Sequence, residues 1–116
     1  MSNVQHHPVI TAVTDIASPP AEVWRELTDF TAYAQWHPAL HYEAPRRLVW
    51  EGGIPEVLMG QHSFVLEPYD GGTRFTESEE FTGAAAVETV ETARSQMEEG
   101  YASYGRALKK RLESGH

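Results

Sequence analysis

The sequence predicts an α+β domain in which a curved antiparallel sheet packs against one long C-terminal helix. Three observations carry this. Val9–Ile16 is rich in β-branched residues and alternates between two faces, as a strand does. Short apolar runs separated by glycine pairs follow in the middle of the chain, and residues 86–112 repeat apolar side chains every three or four positions.

In chain order, the first strand gives way to Ser18-Pro19-Pro20, a helix start with Ser18 as the cap and Pro19 in the first helical position. Val23, Leu27 and Phe30, with Trp24 beside them, give that helix one apolar face and read as core. Thr31 restarts a short second turn through Tyr33 and Trp36. Pro38 disfavours helix at His37 and ends it. From Arg46 the pattern becomes sheet: Leu48-Val49-Trp50, with Gly52-Gly53 and Pro55 as a break, then a hairpin from residues 62–67 and 74–81. With Asp70-Gly71 as its two-residue turn, Leu66 faces Phe75, Phe64 faces Glu77 and His62 faces Glu79, all on one side of the sheet. A register shifted by one residue would set Leu66 against Thr76 and Phe64 against Ser78, a poorer match.

In the last helix Val90, Ala93, Met97, Tyr101, Tyr104, Leu108 and Leu112 form a continuous stripe. Glutamates gather in its first half and Arg106, Lys109, Lys110 and Arg111 near its end, which suits the helix dipole at the terminal turns. Gly100 and Gly105 flank the two tyrosines. Each costs about 1 kcal/mol against alanine inside a helix, so the pair implies a bend or close packing there.

At 116 residues the chain has room for one core, so residues 1–116 form a single domain, with residues 1–7 and about 113–116 as frayed ends. Cysteine is absent, which excludes thiolate metal sites and cysteine nucleophiles. A formal charge of −8 repels phosphate backbones and anionic headgroups, so neither nucleic acid nor a membrane surface is an expected partner. The start, MSNVQHHPV, lacks the basic and apolar segments of a signal peptide, and a cytoplasmic location is expected.

The best polar cluster is His62, Glu77 and Glu79 beside Phe64 and Phe75. A histidine next to a carboxylate in an apolar pocket can act as a general base, which makes His62 and Glu79 the catalytic candidates. Tyr101 or Tyr104 could donate a hydrogen bond to a developing enolate or phenolate, as proton abstraction next to a carbonyl requires. The plainer reading, which is preferred, is that His62 and Glu79 are only a cross-strand polar pair near a solvated sheet edge. The pocket-lining candidates are Tyr33, Trp36, Trp50, Phe64, Phe75, Glu77, Met97, Tyr101 and Tyr104. Of these, Tyr33 and Trp36 either brace the helix-to-sheet turn or rim the entrance, and the Met97–Tyr104 stripe is as much packing as pocket. His37 and His41 have a metal-site spacing, but Pro38 lies between them and no glutamate follows His37, so no metal is expected. No nucleotide-binding glycine motif and no GxSxG elbow occurs, so no cofactor and no serine hydrolase is expected either.

Ile16-Ala17-Ser18-Pro19-Pro20-Ala21-Glu22-Val23-Trp24, then Leu27-Thr28-Asp29-Phe30 and Tyr33-Ala34-Gln35-Trp36-His37-Pro38, resemble the opening of the START-like superfamily, nearest its polyketide cyclase/dehydrase-like branch. Leu48-Val49-Trp50, the run from Gly60 to Pro68, Gly72-Thr73-Arg74-Phe75 and Gly100-Tyr101 through Ala107-Leu108-Lys109 also look like that branch. The resemblance implies a helix-grip fold with a ligand pocket between sheet and helix. Members of the family carry two further strands between the tryptophan-proline turn and the strand of Trp50. Here only residues 39–45 fill that gap, and at about 3.3–3.6 Å per residue they cannot make a two-stranded excursion. The expectation is a shortened sheet of about four strands, with an exposed edge that favours a homodimer.

The function expected is binding of a hydrophobic or aromatic small molecule between sheet and C-terminal helix. Two alternatives stand beside it: a polyketide cyclase- or dehydratase-like enzyme using a His/Glu base, and an oligomeric interaction domain whose pocket has collapsed.

Overall fold

The computed structural model describes residues 7–29 and 41–114. Strand β1 (Val9–Ile16) leads into helix α1 (Pro20–Asp29). Strands β2 (His41–Glu43), β3 (Arg47–Ile54), β4 (Leu58–Tyr69) and β5 (Gly72–Thr82) follow, and helix α2 (Ala86–Glu113) closes the fold. The strands form one antiparallel sheet in the order β1-β5-β4-β3-β2. This is the α+β, helix-against-sheet architecture read from the sequence.

The β4–β5 hairpin has the expected register, with Leu66 opposite Phe75, Phe64 opposite Glu77 and His62 opposite Glu79. Its turn is Asp70-Gly71, at φ 53° and 80°. Positive φ at both central residues matches the twist of a two-residue hairpin, and glycine adopts it without steric cost.

Three details differ from expectation. The sheet has five strands rather than four, because β2 fits inside the short connection as a three-residue edge strand on Arg47–Val49. A tight turn in which the Arg46 N–H donates to the Glu43 carbonyl (2.7 Å) lets so short a segment pair. Of the expected break, Pro55 falls in the turn at residues 55–57, whereas Gly52 and Gly53 lie within β3, opposite Gly60 and Met59. At the start of α1 the Val23 N–H donates to the Pro19 carbonyl (3.1 Å), so Pro20, not Pro19, occupies the first helical position. Ser18 is buried and its carbonyl accepts the Thr73 hydroxyl at 2.6 Å. The turn expected through Tyr33 and Trp36 lies outside the described residues, as does Phe30.

Two apolar clusters form between the sheet and the helices. One gathers Ile16, Val23, Trp24, Leu27, Leu48, Phe64, Leu66, Phe75 and Leu108, with Tyr104 and Leu112 of α2 packed on it. The other gathers Ile10, Phe81, Ala86 and Val90, with Leu58, Met97 and Tyr101 against it. Burying each such large side chain stabilises the fold by about 1.5–3 kcal/mol. The helix stripe thus does what its spacing predicts, every member being buried or half-buried. Helix α2 also covers the β1 edge with polar arms. Arg94 donates to the Val9 carbonyl (3.2 Å), Lys109 to the Asp15 carbonyl (2.7 Å), and the Ala17 N–H donates to Glu113 Oε2 (2.7 Å).

Candidate functional site

The sheet register assembles the site in rows. Ile10, Glu79, His62 and Trp50 sit side by side across β1, β5, β4 and β3, and the next row is Ala12, Glu77, Phe64 and Leu48. Because alternate residues share a face, both rows point toward α2. There they meet Tyr101, which belongs with the second apolar cluster, and Tyr104, which belongs with the first. The polar groups therefore occupy the seam between two cores.

A cavity of about 230 Å³ opens at this seam, lined by Trp50, His62, Phe64, Glu77, Tyr101 and Tyr104. All six are among the residues expected to line a pocket or to carry chemistry. A neighbouring recess of about 220 Å³ is lined by Glu79, Gly52 and Gly60 and shares Trp50 and His62 with it. The cavity is smaller than the roughly 300–1,000 Å³ of a drug-sized pocket.

The walls are mostly aromatic. The His62 ring lies 4.5 Å from Phe64 and 5.0 Å from Tyr101, centroid to centroid, and Phe64 stacks on Phe75 at 5.8 Å with planes 10° apart. Trp50 meets Phe64 edge-on at 6.2 Å. Phe75 is wholly buried behind Phe64 and braces the wall without lining the cavity. Met97 packs with Ile10, Phe81 and Val90 instead of reaching the cavity. Tyr33 and Trp36 lie outside the described residues.

Glu77 is 1 % exposed, and its Oε2 has no hydrogen-bond partner among the described residues. Burial without a compensating cation pushes its carboxyl up to about 8, so near neutral pH it is mostly protonated. His62 Nε2 is likewise buried without a partner. Burial lowers its pKa below the ordinary histidine value, and the nearby Glu79 charge opposes that only in part, so the ring is neutral at pH 7.

The expected His62–Glu79 pair is arranged differently. Glu79 accepts a hydrogen bond from the Tyr101 hydroxyl, while its effect on His62 is through charge. Burial first, then this bond and the charges of Glu79 and Glu77, raise the Tyr101 hydroxyl well above the usual tyrosine range. Tyr101 is therefore engaged with Glu79 in this structure.

Two glycines shape the site. A β-carbon at Gly60 would collide with the Glu79 carboxylate, and one at Gly105 would collide with the Thr14 hydroxyl and stand 3.1 Å from Glu77 Oε2. Gly105 therefore marks the close packing foreseen near the tyrosines, whereas Gly100 is exposed with nothing within 4 Å of such a carbon. A glycine interrupting a strand pattern, as Gly60 does, is the sequence signal of such a close approach. Among the described residues no group of three or more histidine and acidic side chains could hold a metal ion. His41 stands in β2, and His37 lies outside the described residues.

No protein-family model and no curated protein matches this sequence. Solved structures do match. DynU16, encoded in the dynemicin biosynthetic locus, aligns at 19 % identity with a TM-score of 0.72 over 92 % of this chain and 48 % of its own. This chain therefore spans about half of DynU16. CalU16 from Micromonospora echinospora aligns at 17 % identity and a TM-score of 0.68, over 90 % of this chain and 74 % of its own. The Aha1 dimer from Colwellia psychrerythraea gives 16 % identity and 0.70, over 93 % and 98 %. The chain has the helix-grip fold. At such identities the likeness carries the architecture alone, and chemistry has to be argued from the cavity. Among the described residues no helix is long and apolar enough to cross a membrane.

Proposed function

We propose that this helix-grip domain binds a small aromatic molecule between the sheet and α2. One observation carries the reading: two buried polar atoms without partners among the described residues, His62 Nε2 and Glu77 Oε2, belong to residues lining a cavity walled by Trp50, Phe64, Tyr101 and Tyr104. A buried polar group left unpaired costs about 1–3 kcal/mol, and a ligand that pairs with it recovers that cost on binding. The presence of DynU16 in a biosynthetic locus fits a fold used to handle small molecules.

Binding is favoured over catalysis because the acid–base pair a cyclase or dehydratase would use is split. Glu79 is held by Tyr101, and Glu77 is protonated near neutral pH. Trp50 reports on the test. Titration with phenethyl alcohol should change its fluorescence saturably, and Trp50→Phe should abolish that change. Absence of saturable binding of phenethyl alcohol and phenethylamine alike to the native chain would sink the proposal. Turnover of a polyketide-like substrate that is lost in His62→Ala while binding persists would favour the enzyme instead.

Self-association through an exposed edge is the second reading. Strand β3 runs past β2 from Trp50 to Ile54 with no partner strand on that side among the described residues, and unpaired strand edges recruit other chains. Sedimentation equilibrium should show a concentration-dependent dimer; a monomer at high concentration would remove it.

A further inference from the structure

We infer that the ligand of this cavity is a small aromatic amine, bound as its cation against Glu77 inside the aromatic walls. The inference rests on the binding reading above and narrows it to a chemical class.

Among the described residues the lining contains rings and one carboxyl group but no lysine or arginine. An electron-rich box of Trp50, Phe64, Tyr101 and Tyr104 attracts a cation to its ring faces, with tryptophan the strongest contributor. The carboxyl oxygen without a partner, on a side chain 1 % exposed, supplies a charge-assisted acceptor in the same space. Glu79 adds a second negative charge from the adjoining recess. A carboxylate ligand could take a hydrogen bond from the protonated Glu77 carboxyl, but it would face the Glu79 carboxylate in the adjoining recess with no lysine or arginine among the described lining residues to receive it. A neutral alcohol could bond to Glu77 or His62 but would gain nothing from the charge. The overall charge of −8 also draws cations toward the chain.

Amine binding couples to protonation. The groups facing Glu77 are His62 from β4, Glu79 on its own strand, and Tyr101 and Tyr104 from α2, while β1 presents uncharged Ala12 and Thr14. None of these supplies a positive charge at neutral pH. The ammonium becomes the counterion that Glu77 lacks, the carboxyl ionises, and its proton passes to the buffer.

The test is isothermal titration calorimetry of the full chain near neutral pH with three matched probes: phenethylamine, phenethyl alcohol and phenylacetate. Each is run in two buffers of different ionisation enthalpy. Phenethylamine should bind at least about tenfold more tightly than the alcohol, phenylacetate should bind most weakly, and only the amine should release a proton. In Glu77→Gln, with its fold checked by thermal melting, the advantage of amine over alcohol and the proton release should both disappear. If the alcohol or the acid binds as tightly as the amine, or the amine releases no proton, the amine assignment falls and the binding reading stands. If none of the three binds, both fall.

Discussion

Gly105 and Glu77 meet where α2 crosses the sheet, close enough that a β-carbon on the glycine would lie 3.1 Å from Glu77 Oε2. The helix can approach β5 here only because position 105 has no side chain. That approach seals one side of the carboxyl group and leaves its other side to the cavity.

Replacing Gly105 with alanine gains about 1 kcal/mol of helix propensity but forces a contact with Thr14 and Glu77, and such overpacking costs about 1–3 kcal/mol. The expected net effect is a loss of stability. Gly100→Ala has open space around it and should stabilise by about 1 kcal/mol. Urea denaturation of the two variants should move the midpoint in opposite directions. Equal shifts would show that the close approach is absent in solution.

Glu77 makes stability depend on pH. Its carboxyl lies at about 8 in the fold against an ordinary value of 4.5, so between these limits the folded chain holds a proton that the unfolded chain has released. Unfolding free energy therefore falls as pH rises through this window, by a few kcal/mol at most. Glu77→Gln removes the effect. Its melting temperature should exceed that of the native chain by a margin that grows from pH 5 to pH 8 and then levels. A constant margin would mean that Glu77 is ionised in the fold at all these values.

Much of this arrangement is legible in the sequence, because a two-residue Asp-Gly turn and the match of Phe75 to Leu66 fix the hairpin register. Register then sets His62, Phe64, Glu77 and Glu79 on one face before any tertiary contact is considered. Helical spacing places Tyr101 and Tyr104 opposite them. What periodicity does not carry is depth along the helix. Met97 lies on the same stripe as Tyr101, about one turn earlier, and that turn moves it into the Ile10–Val90 cluster. Hydrogen-bond choice is also invisible: Glu79 is directly opposite His62 in the ladder, yet it bonds to Tyr101 from another element. The three-residue strand β2 is too short to show alternation, so its pairing with β3 is a tertiary fact.

The charge of Glu79 is the one influence on His62 that favours the protonated ring, against the larger effect of burial. Removing it in Glu79→Gln should lower the histidine pKa further. An NMR titration of the His62 ring would show it, with the midpoint of the variant on the acid side of the native one. A shift upward would mean that the carboxylate acts on His62 mainly by shielding it from water.

The polar arms of α2 suggest how the β1 edge is kept from pairing with other chains. Arg94 and Lys109 occupy the outward carbonyls of Val9 and Asp15, near the two ends of the strand. Both bonds are exposed, so each adds little to stability, but they occupy two of the acceptors that another strand could use. The double variant Arg94→Ala/Lys109→Ala should therefore melt within about 1 kcal/mol of the native chain while associating more readily. Sedimentation velocity across a concentration series distinguishes this from general destabilisation. A variant that stays as dispersed as the native chain would show that the edge is guarded by the bulk of the helix and not by its basic side chains.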